Sequence, residues 1–158
     1  MTTISCLDIS PRQTGKTTRL IKRASKLLAM GAAVRFVCLE GMKAEIQRQL
    51  PGAIVMADGE PLPRGHDPKR GVWFYDEFDW LESVELRQDA YYATTARFIR
   101  KLGEHTPEND LLLRLIQANG NWYQRHTWPF DMGDSLAQAR QCHSQEEFRR
   151  LYLGEFLE

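Results

Sequence analysis

Cysteine is scarce in this chain of 158 residues: Cys6, Cys38 and Cys142 are the only three, and none stands in a Cys-x-x-Cys pair. An odd, dispersed set excludes a disulfide framework and fits reduced thiols inside a cell. His66, His105, His126 and His143 are scattered, and Cys142-His143 has no partner pair at zinc spacing, so a metal-thiolate site is not expected. No apolar run reaches the length of a membrane span, and mean hydropathy is −0.48. The N-terminal stretch MTTISCLDIS lacks the basic and apolar regions of a secretory signal. Neither Gly-x-Ser-x-Gly nor His-Glu-x-x-His occurs, and there is no internal repeat or low-complexity tract. What remains is 42% apolar and 27% charged, the make-up of one globular domain over residues 1–158.

A net charge of zero conceals an uneven distribution. Residues 1–50 hold nine Lys/Arg against three Asp/Glu, whereas 51–100 and 101–158 each hold six against nine. A basic first third suits contact with phosphate or nucleic acid; a solvated basic helix face explains it equally well.

Hydrophobic patterning alternates strands with helices. Thr3 to Ile9 reads as a strand running into Ser10-Pro11. Leu20, Ile21, Ala24, Leu27 and Leu28 form the stripe of a helix from Thr17 to Met30, closed by Gly31. Strands are expected at Ala33–Leu39, Ala53–Ala57, Val72–Tyr75 and Ala90–Thr94, with helices at Met42–Leu50 and Trp80–Gln88. Gly and Pro crowd residues 58–71, marking a long surface loop. Thr106-Pro107 predicts a helix start with Leu111, Leu112, Leu115 and Ile116 as its apolar face, and Ser144-Gln-Glu-Glu147 predicts a capping box before a last helix. This order implies an α/β fold with a mainly parallel sheet flanked by helices.

The segment Ser10 to Thr18, SPRQTGKTT, falls between a predicted strand and a predicted helix. In a phosphate-binding loop, backbone N–H groups and the helix N-terminus cradle the phosphates, a lysine reaches the terminal oxygens, and the next hydroxyl holds Mg²⁺. Gly15, Lys16 and Thr17 match those roles, with Ser10, Gln13, Thr14 and Thr18 completing the cradle. Ser10 stands where the strict Walker A pattern has glycine, and serine resists the backbone angles glycine permits. Lys16 is expected to sit in an open loop without a packing role.

Val72-Trp-Phe-Tyr-Asp76-Glu77 is an apolar strand ending in two acids. As a Walker B element, Asp76 would hold Mg²⁺ through water and Glu77 would polarise the attacking water. The plainer reading is an acidic helix start, with Asp79 as a cap. Thr94-Thr95 ends the next predicted strand, where hydroxyls could sense a terminal phosphate; a threonine-rich strand end needs no such role. Trp122, Tyr123, Trp128 and Phe130 could stack on bases or simply pack as a core or lid.

Together PRQTGKTT, VWFYDE, ATTAR and FRRLYLGEF (Phe148 to Phe156) resemble the ATPase domain of tailed-phage terminase large subunits, the motors that package viral DNA. The stretch from Asn121-Trp122 to Phe130 is also similar to that domain, so the resemblance covers Ser5 to Phe156. It implies a P-loop NTPase that binds ATP and Mg²⁺ and acts on double-stranded DNA in the cytoplasm of the host bacterium. Within it Arg12 would act on the γ-phosphate, Glu77 would be the catalytic carboxylate, and Thr94-Thr95 would couple hydrolysis to movement. It further implies a homo-oligomeric ring, with Arg97 or Arg100 reaching a neighbour's site, and partners such as a separate nuclease chain, a small terminase or a portal protein. Residues 121–158 would form a lid or linker subdomain. Two departures stand out: nine residues precede Ser10 where the family carries an adenine-binding segment, and no nuclease follows. They leave open a nucleotide-binding assembly or regulatory factor with weak or no hydrolysis.

Overall fold

The computed structural model describes residues 1–128 and 133–158; Phe130 therefore lies outside the described residues. Five strands, β1 (Cys6–Ile9), β2 (Val34–Cys38), β3 (Ile54–Ala57), β4 (Val72–Asp76) and β5 (Tyr91–Thr94), form one sheet in the order β1-β5-β4-β2-β3. Every pairing is parallel. β2 and β4, near-continuous apolar runs, take interior positions covered on both faces, the environment such runs require. The expected α/β class with a parallel sheet and flanking helices is present.

One face carries a stacked ladder of Phe36, Phe74 and Tyr91, with ring centroids 5.7 and 4.6 Å apart. Against it lie Leu20 and Ala24 of α1 (Lys16–Ala29) and Ile46 of α2 (Lys43–Gln49). The opposite face stacks Tyr75 on Tyr92 at 5.1 Å and is covered by Leu112 and Leu115 of α3 (Leu111–Ala118) and by Phe156. Two further helices, α4 (Gly133–Cys142) and α5 (Gln145–Leu151), precede the C-terminal tail. No helix among the described residues is long and apolar enough to cross a membrane.

Several expectations need correction. No helix forms over residues 80–88; a single 3-10 turn at Phe78–Trp80 is followed by irregular chain. The backbone donors there have other acceptors: Glu82 and Ser83 N–H bond the Asp58 carboxylate at 2.9 and 3.0 Å, and Arg87 N–H bonds the Tyr92 hydroxyl at 2.9 Å. Asp79 accordingly caps no α-helix. α3 starts at Leu111 instead of near Thr106, because Asp110 is its N-cap and accepts from Leu112 N–H at 3.0 Å. Ser144 caps α5 as its sequence suggests, accepting from Glu147 N–H at 3.1 Å. The helix α4 has no counterpart in the sequence reading.

Candidate active site

β1 delivers the chain into the loop 10–15 at the carboxyl end of the sheet, and α1 begins at Lys16. Ser10 needs no left-handed backbone: the positive φ angles of the loop fall at Gln13 (58°) and Gly15 (83°). A glycine at position 10 is therefore unnecessary, and the serine is used as a staple. Its hydroxyl donates to Asp8 and accepts from His126 N–H at 2.9 Å.

Arg12, Gln13, Thr14, Gly15, Lys16, Thr17 and Thr18, together with Glu77 and Thr95, surround a cavity of about 320 Å³. Lys16 is only 6% exposed; its Nζ donates to Pro11 C=O at 2.8 Å and stands 4.0 Å from Glu77 Oε1. The expectation that this head group lacks a packing role is thus corrected. Burial pulls the Lys16 ammonium below its ordinary pKa, with Glu77, Asp8 and Asp76 opposing the shift.

β4 brings Asp76 and Glu77 to the same place. Thr17 Oγ1 donates to the Asp76 carboxylate, 2.9 and 3.1 Å from its two oxygens. Burial raises the pKa of Asp76, partly offset by Thr17 and Lys16. Glu77 adopts a left-handed backbone (φ 55°, ψ 43°), which turns the chain sharply after the strand. Burial pushes its carboxyl pKa up to about 7, while Lys16 and Arg12 pull it down. A hydroxyl and a carboxylate side by side at the edge of this cavity are the oxygen donors a hard divalent cation prefers, so Thr17 and Asp76 fit Mg²⁺.

β5 separates β1 from β4; it ends at Thr94 and is followed by Thr95, both buried. Thr95 Oγ1 donates to Ser10 C=O at 3.0 Å, and Ser10 N–H bonds Thr94 C=O at 3.1 Å. Thr94 Oγ1 donates to Thr95 C=O at 3.1 Å and accepts from Asp79 N–H at 3.3 Å. Only Thr95 of this pair reaches the cavity; Thr94 braces the turn behind it.

Arg100 is not a surface arginine free to enter another subunit. It is 1% exposed and clamped between Asp79 (2.6 Å) and Asp110 (2.7 Å). Arg97 is exposed, its guanidinium 5.8 Å from the Trp80 ring centroid.

The sequence reading missed the shell behind the loop. Arg12 N–H bonds Leu151 C=O at 2.8 Å, and Trp128 Nε1–H bonds Arg12 C=O at 2.7 Å. Arg150, nearly buried, donates to Ala96 C=O at 3.0 Å. Trp128 and Leu151 therefore touch the loop after β1, and Arg150 the loop after β5. Tyr123 packs on Phe156 at 5.2 Å, whereas Trp122 is exposed. Asp8, bonded by Arg19 at 2.7 Å, was legible only as an acid inside an apolar strand. No protein-family model, curated protein or solved structure matches the chain.

Proposed function

We propose that the chain is a Mg²⁺-dependent ATP hydrolase of the P-loop type, working as a terminase-like motor module on double-stranded DNA. The supporting observation is convergence: Lys16 and Thr17 from the start of α1 meet Glu77, the residue after β4, around one cavity, and Thr17 also donates to Asp76 at the end of β4, with β5 lying between β1 and β4. Backbone N–H groups of residues 13–17, at the positive end of α1, receive the phosphate chain. Lys16 leaves Pro11 C=O to neutralise its outer oxygens, and Arg12, exposed at the rim, adds a second cation. Thr17 and Asp76 would hold Mg²⁺, which supplies charge neutralisation on the transferring group. Glu77, when ionised, orients the attacking water, and Thr95 keeps the loops after β1 and β5 in register. The ring, the separate nuclease, small terminase or portal partners, and a bacterial host cytoplasm belong to this same reading.

The second reading is a nucleotide-binding assembly factor that hydrolyses weakly. The burial of Glu77 favours it, because a carboxyl with pKa near 7 is partly protonated at neutral pH. Magnesium-dependent ATP turnover, measured with and without duplex DNA for the native chain and Glu77→Gln, tests both. The hydrolase reading expects turnover that the substitution lowers by about 10²–10⁴-fold while ATP still binds. Binding without turnover in the native chain selects the second reading.

A further inference from the structure

A second hollow, about 570 Å³ in volume, lies beside α1. Its floor is the face of β1 and β5 carrying Cys6, Asp8 and Tyr91, and Gln124 and His126 close the far side. α1 packs over β5 and β4, which leaves the β1 side of this face open as a groove.

The wall facing the groove is Arg19, Lys22, Arg23 and Lys26, spaced i, i+3, i+4, i+7 along one side of α1. No acidic residue occurs in the helix. Asp8, the acid in the groove, is neutralised by Arg19. Lys22, Arg23 and Lys26 are exposed and have no ion-pair partner among the described residues. From Lys22 to Lys26 the helix advances about 6 Å, and one strand of duplex DNA presents a phosphate about every 3.4 Å along the duplex axis, so the three cations match roughly three phosphates.

The occupant must be polyanionic, and the lining argues against a protein. Among the described residues, none of the exposed large apolar side chains, such as Trp122, Phe98 or Leu102, lines the groove. Protein interfaces draw their affinity from such anchors, whereas backbone contacts to nucleic acid draw it from cations.

We propose that this face of α1 is a docking surface for the phosphate backbone of duplex DNA, with Lys22, Arg23 and Lys26 on neighbouring phosphates of one strand. The choice of duplex rests on the function proposed above. The test is anisotropy of a labelled duplex against salt, with the full chain, Lys22→Gln/Arg23→Gln/Lys26→Gln together, and each single substitution. Each lost phosphate contact should reduce the log–log salt slope by about 0.9, so the triple variant loses about 3 and each single about 1. Circular dichroism and ATP affinity should stay at native values, because none of the three lines the phosphate cavity. An unchanged slope, no duplex binding by the native chain, or binding only to single strands or to polyglutamate would overturn the proposal. Salt-dependent duplex binding that needs these residues, in a chain that neither binds nor hydrolyses ATP, would uphold it while the hydrolase reading fell.

Discussion

Gly154 lies against the ring of Pro11 so closely that a β-carbon on it would stand 2.9 Å from Pro11 Cδ. Its φ of +70° is also a conformation that side-chain-bearing residues resist. We predict that Gly154→Ala destabilises the fold by about 1–3 kcal/mol, combining left-handed strain with the clash. On the proposed function ATP affinity should fall too, since displacing Pro11 opens the loop 10–15. Thermal melting and nucleotide titration of the variant check this; native values in both would show that the contact is slack.

Arg12 is held at both its backbone N–H and its C=O, through Leu151 and Trp128. Replacing Trp128 with Phe removes one bond, worth about 1 kcal/mol. The expected signature is a lowered kcat with a smaller change in KM, because Arg12 is misplaced while Lys16 and the loop amides remain. A variant with native kcat would separate Arg12 from the chemistry.

Lys16→Ala is expected to abolish ATP binding and to perturb the loop itself. The ammonium donates to Pro11 C=O and faces Glu77, so its loss removes a partner from each. Isothermal titration with ATP and a melting curve measure the two effects separately. Retained affinity would remove Lys16 from the phosphate site.

Glu77 gives a pH prediction for the nucleotide- and metal-free protein. Its carboxyl pKa rises on folding from 4.5 to about 7, so between those values the folded state binds more protons than the unfolded state. Its contribution to stability therefore declines as pH rises through that window. Glu77→Gln cannot titrate, and its stability advantage over the native chain should grow from pH 4.5 to 7 and then level off. Parallel denaturant melts across that range decide the matter; a constant difference would contradict the burial of the carboxyl.

Arg100 is a structural cation. Replacing it with Ala strands Asp79 and Asp110 as unpaired buried carboxylates, a change that costs about 3–5 kcal/mol. Loss of activity should follow loss of fold, visible as a melting shift before any kinetic effect.

The strands and α1 were legible because their signals are local: β-branched and aromatic runs, an apolar stripe, a glycine after the last turn. The pairing of Asp76 with Thr17 was legible because each follows its strand or loop at a fixed position. Residues 80–88 misled for the opposite reason. Their helical composition is overruled by Asp58 and Tyr92, whose side chains capture the backbone donors from elsewhere in the chain. Arg100 looked like any surface arginine because Asp79 and Asp110, lying 21 and 10 positions away, announce no pairing in the sequence. The support behind the loop 10–15 was invisible for the same reason.

Trp128 and Arg12 are 116 positions apart, yet they join directly. Closing so long a loop costs conformational entropy that only the finished packing returns. A chain made from its N-terminus exposes β1, the loop and α1 first, long before Trp128 and Leu151 exist to secure Arg12. The final placement of Arg12 would thus be acquired near the end of folding, after the rest of the loop has formed.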